Sequence, residues 1–395
     1  MIEYGKKIHW LLIALLCLAI WINPLQVYAF SFEQVTSEIS GNGIIKALLG
    51  VLFSKIFYTN TSVNSAAVAP DQGKQIEKTN KEIIGFYAEW WSKDTSSFQS
   101  LSSNVKAIRT IAPFWASLEK DGTLTDRGGE DHVSVVEYAH NNQITVLLLL
   151  NNVKESNGHN PIHTVLSDQR LRAKAITSIN AYIKKYKLDG INIDFEMVPP
   201  SDRDNLTLFM KELSAQLKPQ GYLVTIDVFP KQDESNDVAY AYDYEALARY
   251  TDKIMLMTYD QHGAWSGPGP IADSKWIEKN LLYALQYIPK TKLYLGIAAY
   301  GYDWSAQGIE SINYQQAIER ADKYNAPIQS DKQSQAPYFY YTDKSGIEHQ
   351  VWFENGESVK PKLDLVNRYD LAGIAMWKLG EEDPIYWKIF REKLK

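Results

Sequence analysis

The sequence has 395 residues, 45% of them hydrophobic, so it can bury one large core or two ordinary ones and is not a disordered chain. Its formal net charge is -6 and it has no long basic run, which argues against binding nucleic acid through bulk charge. The single cysteine, Cys17, lies near the N-terminus, so disulfide frameworks, cysteine zinc sites and cysteine nucleophiles are excluded from the folded body. Catalysis would therefore depend on carboxylate, hydroxyl or imidazole groups.

Residues 1–29 have the pattern of an export signal. Lys6 and Lys7 precede an apolar run over residues 10–22, and a small-residue cleavage site ends at Ala29. The run is short for a membrane span, so we predict a cleaved signal peptide, with an uncleaved N-terminal membrane anchor as the alternative. Residues 30–80 are polar and predict a tether with one marginal helix. We therefore expect an exported protein, either secreted, held at the cell wall or anchored to the membrane.

Residues 81–395 alternate short apolar runs with segments long enough for a helix, which predicts an α/β fold, a (β/α)8 TIM barrel. Helices are predicted over residues 168–186 and 202–217 from their apolar periodicity. The gap before the last run is nearly twice the usual length, which predicts a small α+β insertion at about residues 305–360, with a hairpin around Asp343–Gly346. The eight runs begin at Ile83, Ile108, Ile144, Gly190, Tyr222, Lys253, Lys292 and Leu371.

Polar side chains alternate with apolar ones along the fourth predicted strand. Asn192, Asp194 and Glu196 therefore share one face, which points into the barrel if the apolar face packs under the helices. Carboxylates inside a barrel carry a large desolvation cost unless they are paired or serve chemistry, so we interpret this strand as catalytic. The alternative is a half-exposed antiparallel strand with its polar face in water.

The two carboxylates of this strand predict glycosidic bond cleavage. Asp194 beside Glu196 disfavours double ionisation, which keeps a proton available on Glu196 for a glycosidic oxygen. A retaining glycosidase with its own nucleophile needs a carboxylate about 5 Å away across the sugar, and Asp194 on the same strand is poorly placed for that. An N-acetyl group of the substrate can attack instead. We therefore predict a retaining, substrate-assisted hydrolase.

The segment from Asp189 to Glu196 resembles the Asp-x-x-Asp-x-Asp-x-Glu signature of glycoside hydrolase family 18, with Asn192 in place of the second Asp. Residues 257–260 and 373–377 resemble two further motifs of that family, on the sixth and final strands. The resemblance covers the chain from about Ile83 to its C-terminus. The neutral Asn192 is the departure, and it is expected to alter the proton affinity of Asp194 and shift the pH profile.

The resemblance implies a role for each matched residue. Glu196 would be the general acid and later the base, while Asp194 would orient the substrate acetamido group and stabilise the oxazolinium intermediate. Tyr259, with Met257 in the same motif, and Asp260 would contact the acetamido group, and Trp377 would form the floor under the distorted sugar. The alternatives are structural: Tyr259 and Trp377 as core aromatic residues, and Asp260 as the cap of a turn.

Three features resemble the bacterial spore-cortex and germination glycosylases of the family: Asn192, the segment 259–270, and Val351–Glu354. This implies peptidoglycan as substrate, cut at N-acetylglucosamine, although no LysM-type repeats precede the barrel. His262 is predicted to contact substrate or, alternatively, to hold a turn. Some of the tryptophans after strand ends are predicted to stack on sugars, the candidates being Trp90, Trp91, Trp115, Trp265 and Trp304.

No metal or other cofactor is predicted. His159 and His163 are four residues apart, but Pro161 disfavours a continuous helix there and no third ligand lies nearby. The expected partner is a glycan, with peptidoglycan favoured over chitin oligomers, and we expect a monomer. A catalytically silent, lectin-like barrel is the alternative class, although such members usually lack the acid that Glu196 provides here.

Overall fold

The computed structural model describes residues 81–394, except for residues 90–93, 128–130, 153–161 and 236. The predicted leader and tether, together with Trp90, Trp91 and His159, lie outside the described residues. None of the helices in the described part of the chain is long and apolar enough to span a bilayer.

Eight parallel strands close into a barrel, which confirms the predicted fold class. The strand order is β1-β2-β4-β5-β6-β7-β8-β14, and β14 pairs back onto β1; the short β3 adds to β2 in antiparallel orientation. All eight predicted apolar runs form barrel strands. Their bounds, with β3, are β1 Glu82–Tyr87, β2 Thr110–Leu118, β3 Leu124–Asp126, β4 Thr145–Asn152, β5 Gly190–Asp194, β6 Leu223–Val228, β7 Lys253–Leu256, β8 Leu293–Ala298 and β14 Gly373–Trp377.

Most of the helices cover the barrel, and several begin at side-chain caps that the sequence supplies. Asp168 caps the long helix predicted after the third run, and its carboxylate accepts the backbone N–H groups of Arg170 and Leu171. Asp131, Asp243 and Asp273 cap three other helices in the same way. The helices are α1 Ser96–Ser103, α2 His132–Asn141, α3 Ile162–Ser167, α4 Gln169–Tyr186, α5 Arg203–Leu217, α6 Tyr244–Tyr250, α7 Ser274–Ala284, α8 Tyr314–Lys323, α9 Gly356–Arg368 and α10 Tyr386–Lys393.

The apolar core of the barrel has two parts, inside and outside its strands. The larger part lies between the strands and the helices and includes Ile191, Ile193 and Phe195, the apolar face of β5. A smaller cluster fills the barrel interior and includes Phe86 and Leu149. Because the apolar face of β5 packs outward, its polar face points into the barrel, as the alternation predicts.

A second, antiparallel sheet lies between β8 and β14 in the chain. Its strand order is β10-β9-β13-β12-β11, and α8 packs against it. The predicted hairpin is present, because β12 and β13 pair directly across residues 343–347. The sheet begins at Tyr300, five residues earlier than predicted, directly after the seventh barrel strand. Its strands are β9 Tyr300–Ser305, β10 Gly308–Asn313, β11 Gln329–Ser330, β12 Pro337–Thr342 and β13 Glu348–Phe353.

Candidate active site

Strand β5 delivers two carboxylates to the carboxyl end of the barrel. β5 ends at Asp194, whose side chain is buried, and Glu196 follows two residues later with an exposed side chain. The signature residue Asp189 lies at the opposite end of the strand, where its carboxylate accepts the backbone N–H of Val146 and contacts His140. Asp189 therefore belongs to the base of the barrel and not to the site.

The backbone of Glu196 is held from both sides by one amide side chain. Asn152, the last residue of β4, accepts the Glu196 N–H at 2.7 Å through Oδ1 and donates to the Glu196 carbonyl at 2.9 Å through Nδ2. The Tyr242 hydroxyl donates to the preceding carbonyl of Phe195 at 2.6 Å. These contacts fix the turn that carries the Glu196 carboxyl.

Asn192 takes part in a buried polar chain beneath the carboxylates. Thr225 on β6 donates to Asn192 Oδ1 at 2.7 Å, and Asn192 Nδ2 donates to the Asp227 carboxylate at 2.6 Å. Burial raises the pKa of Asp227, while the hydrogen bond from Asn192 opposes that rise. The second Asp227 oxygen is buried and has no hydrogen-bond partner among the described residues.

Asp194 holds its proton more tightly than an ordinary aspartate does. Burial is the main cause of its raised pKa, and the neighbouring charges of Asp227 and Glu196 raise it further. Asn192 therefore affects Asp194 through Asp227, because the amide stabilises the ionised form of that second carboxylate. Asp194 and Asp227 together form a buried pair that disfavours double ionisation.

Trp377 lies at the end of β14 and borders a cleft of about 350 Å³. Its ring packs against Phe86 and Phe114, at centroid distances of 5.5 and 6.3 Å, which holds it across the mouth of the barrel. The structure brings Trp377 together with the two carboxylates of β5. The cleft is lined by Phe114, Arg127, Asn151, Asn152, Asp194, Glu196 and Trp377.

Tyr259 and Asp260 follow β7 beside the cleft. Burial raises the pKa of Tyr259, and the charges of Asp227 and Asp194 add to that rise, so its hydroxyl stays protonated and can donate. Asp260 has a left-handed backbone, with φ 56°, and accepts hydrogen bonds from the hydroxyls of Tyr300 and Tyr302 on β9. Burial raises the pKa of Asp260, and the two tyrosines oppose the rise. The second sheet thus positions Asp260.

The remaining predicted contact residues are not among those that line the cleft. Met257 is buried directly after β7. His262 Nδ1 donates to the Gly267 carbonyl at 3.1 Å, which agrees with the alternative prediction that this histidine holds a turn. Trp265 is 67% exposed on the same loop. Trp115 is buried and stacks on a histidine ring, so the expectation that it could bind a sugar is wrong.

His163, one half of the predicted histidine pair, contacts the buried Asp202 carboxylate through Nδ1 at 2.9 Å. Within the described part of the chain, no group of His, Cys, Asp and Glu side chains has the arrangement of a metal site.

Sequence reasoning missed Asp227, Asn152, Tyr242 and Arg127. A sequence pattern could have identified Asp227 and Asn152. Thr225 and Asp227 alternate with apolar residues on a predicted strand and so point inward, and Asn152 lies just after an apolar run. Tyr242 and Arg127 lie on a loop and beside the short β3, where no periodic pattern marks them.

A sequence model of the family described as Glycosyl hydrolases family 18 matches residues 82–382. The chain belongs to glycosyl hydrolase family 18. It is 32% identical over 308 residues to the cortical fragment-lytic enzyme of Bacillus cereus, a match that covers 73% of this chain and 70% of the relative. The family resemblance inferred from residues 189–196, 257–260 and 373–377 is confirmed.

Two solved structures share the fold of this chain. The crystal structure of the Bacillus cereus spore cortex-lytic enzyme SleL has a TM-score of 0.73 at 28% identity, covering 80% of this chain and 75% of that one. A chitinase from Chromobacterium violaceum has a TM-score of 0.72 at 27% identity, covering 80% and 99%. This family 18 protein is therefore a glycoside hydrolase.

Proposed function

We propose that this family 18 hydrolase cuts peptidoglycan at N-acetylglucosamine, with the spore cortex as its substrate, by a retaining, substrate-assisted mechanism. The observation that carries the mechanism is that both carboxylates lining the cleft, Asp194 and Glu196, come from the end of one strand. Two groups so placed act on the same side of a sugar, so the nucleophile on the other side is supplied by the substrate.

Glu196 is the general acid in this proposal. Its exposed carboxyl protonates the glycosidic oxygen as the bond to the anomeric carbon breaks. The acetamido carbonyl oxygen forms a new bond to that carbon, which gives a cyclic oxazolinium ion. Glu196, now ionised, then removes a proton from water, and the water oxygen opens the ring. The product keeps its original anomeric configuration.

Asp194 and Tyr259 hold the acetamido group during these steps. Asp194 accepts the acetamido N–H and stabilises the positive charge of the oxazolinium as an anion. The Tyr259 hydroxyl, whose pKa is raised by burial, donates to the acetamido oxygen. Asp260 positions the same group, supported by Tyr300 and Tyr302. Trp377 provides the apolar surface on which the reacting sugar stacks.

The choice of peptidoglycan rests on the relatives named for cortex lysis and on the Asn192 variant of the signature. Chitin oligomers are the second candidate, favoured by the likeness to the chitinase structure at nearly the same TM-score. A lectin-like role is disfavoured because the acid Glu196 is present in an open cleft. We place the reaction outside the cytoplasmic membrane, because residues 1–29 have the pattern of an export signal. A monomer remains our prediction for the oligomeric state.

The test is incubation of the protein with spore-cortex peptidoglycan, vegetative peptidoglycan and chitin oligomers, followed by mass spectrometry of the released fragments. We expect cortex fragments with reducing N-acetylglucosamine ends from the wild type and none from Glu196→Gln. Asp189→Asn is the matched control, because it changes a signature carboxylate that lies at the base of the barrel. Binding without fragments would favour the lectin-like role, and cleavage of chitin alone would favour the second candidate.

A further inference from the structure

Arg127 is a cation held at the edge of the catalytic cleft. Its backbone N–H donates to the Trp115 carbonyl at 2.7 Å, and its guanidinium donates to Ser117 Oγ at 3.2 Å. The guanidinium also packs over the Phe114 ring, 4.1 Å from the centroid. Arg127 lines the same cleft as the two catalytic carboxylates, and its side chain remains exposed there.

Among the described residues, Arg127 has no carboxylate partner of the kind that several other arginines have. Arg172, Arg203 and Arg320 each form an ion pair with an aspartate or glutamate. In the described ranges, no Asp or Glu lies within ion-pairing distance of Arg127. Partial burial lowers the pKa of its guanidinium with no opposing contribution from an acid. The cleft therefore holds a partly desolvated positive charge that no carboxylate of the described residues pairs with.

The surroundings of Arg127 orient the guanidinium toward the cleft. Ser117 Oγ accepts from Arg127 and donates to Asn151 Oδ1 at 2.6 Å, and Asn151 is itself a cleft residue. One edge of the guanidinium is thus used by Ser117 and one face by Phe114, which leaves its other N–H groups for a planar acceptor. A carboxylate matches that geometry best, because it can accept two parallel N–H donors.

A neutral glycan has no group that needs such a cation, whereas an anionic glycan does. Chains of N-acetylglucosamine alone carry no charge, but peptidoglycan carries carboxylates on its attached peptides, and on its lactyl ethers wherever no peptide is attached. Asp194 and Glu196 would repel such groups from the cleft, and the whole chain is acidic, with a formal net charge of -6. A local cation offsets that repulsion on the approach to the site.

We infer that Arg127 is a specificity subsite that binds a carboxylate substituent on a sugar next to the one being cleaved. This inference rests on the proposed action on peptidoglycan and deepens it, since it assigns the selection of anionic over neutral glycans to one side chain. Arg127 makes no contact that would move a proton, so its contribution is to substrate selection and not to the chemical step.

The experiment compares kcat/KM for soluble peptidoglycan fragments in three forms: native, stripped of peptide so that only lactyl carboxylates remain, and amidated so that every carboxylate is neutral. For the wild type we expect kcat/KM to fall about tenfold on amidation, the size of one charge-assisted contact. In Arg127→Gln the ratio of native to amidated kcat/KM should fall to about one. The kcat/KM for the stripped form shows whether Arg127 binds a lactyl carboxylate or a peptide carboxylate.

Arg170→Gln is the matched control, because Arg170 is an exposed arginine of α4 that is not among the residues lining the cleft. Its ratio of native to amidated kcat/KM should equal that of the wild type. An equal loss for Arg127→Gln on native and amidated fragments would overturn the inference, as would no loss on either. Wild-type protein that cleaves chitin oligomers but not peptidoglycan fragments would instead contradict the proposed substrate, and with it the subsite.

Discussion

The side-chain amide of Asn192 donates a 2.6 Å hydrogen bond to the Asp227 carboxylate across the neighbouring strands β5 and β6. At this position the family signature has an acid, so the substitution replaces a third buried carboxyl with a donor. The amide stabilises ionised Asp227, and the charge of Asp227 in turn raises the pKa of Asp194. The departure from the signature thus acts on the site through a residue on another strand.

Asp227→Asn should move the acid limb of the pH–activity profile to lower pH. Removing the Asp227 charge takes away one cause of the raised Asp194 pKa, so Asp194 ionises at lower pH. In the proposed mechanism the ionised Asp194 stabilises the oxazolinium, so activity should extend to lower pH. The measurement is kcat as a function of pH for both proteins. An acid limb that stays in place or moves upward would contradict this coupling.

The same variant should flatten the dependence of stability on pH. The pKa of Asp227 is raised above its ordinary value of 3.8 in the folded state, so above that value the folded protein binds more protons than the unfolded chain. Its free energy of unfolding therefore falls as pH rises toward the raised pKa. Denaturant titrations from mildly acid to neutral pH should show a smaller fall for Asp227→Asn than for the wild type.

Asn152→Ala should lower kcat more than it raises KM. Asn152 is a positioning residue, because it accepts the N–H and donates to the carbonyl of Glu196 and so fixes the turn that carries the acid. We expect a loss of about tenfold to a hundredfold in kcat, since small misplacements of an acid are costly. Asn152→Asp keeps the oxygen that accepts the Glu196 N–H but loses the N–H group that donates to the Glu196 carbonyl, so it should recover part of the loss in kcat. Equal losses of kcat for both variants would show that the hydrogen bonds from Asn152 to the Glu196 backbone do not determine the rate.

Trp377→Ala should weaken productive binding more than it destabilises the fold. The ring is only part-buried and packs on Phe86 and Phe114, while one side faces the cleft. We expect kcat/KM to fall at least about tenfold, because a stacking surface is lost. Trp377→Phe should retain a larger share of activity. A collapse of the melting temperature with normal residual kinetics would instead identify Trp377 as a core residue.

Lys362→Met should destabilise the protein by about 3–5 kcal/mol, the usual cost of leaving a buried charge without its partner. Lys362 on α9 forms a fully buried ion pair with Glu354 at the end of the second sheet. Lys360→Met on the same helix is the matched control, since its partner Glu357 is exposed and its loss should cost less than about 1 kcal/mol. Urea unfolding of the two variants measures the difference, and equal losses would contradict it.

The barrel could be predicted because each of its strands is apolar on both faces or alternates in a regular way. The polar face of β5 was evident for the same reason, so Asp194 and Glu196 followed from the side-chain period of two. Asp227 could have been found by the same alternation, since Thr225 and Asp227 both point inward on β6. It was missed because one acid on an apolar strand has no partner in the local sequence.

The supports of the site are harder to predict because they come from distant parts of the chain. Asn152 contacts Glu196 across 44 positions, and Tyr242 contacts Phe195 across 47. Arg127 reaches the cleft from beside the short β3, which no apolar run marks. Such contacts depend on how the loops at the carboxyl end of the barrel converge, and that is a property of the closed fold.

The most direct test of the mechanism is the configuration of the new reducing end. Time-resolved proton NMR of a cleaved oligomer should show the β-anomer first, followed by slow mutarotation, because attack by the acetamido group and then by water inverts the anomeric carbon twice. Glu196→Gln should show no such signal above background. An α-anomer formed first would mean direct attack by water and would contradict the substrate-assisted mechanism.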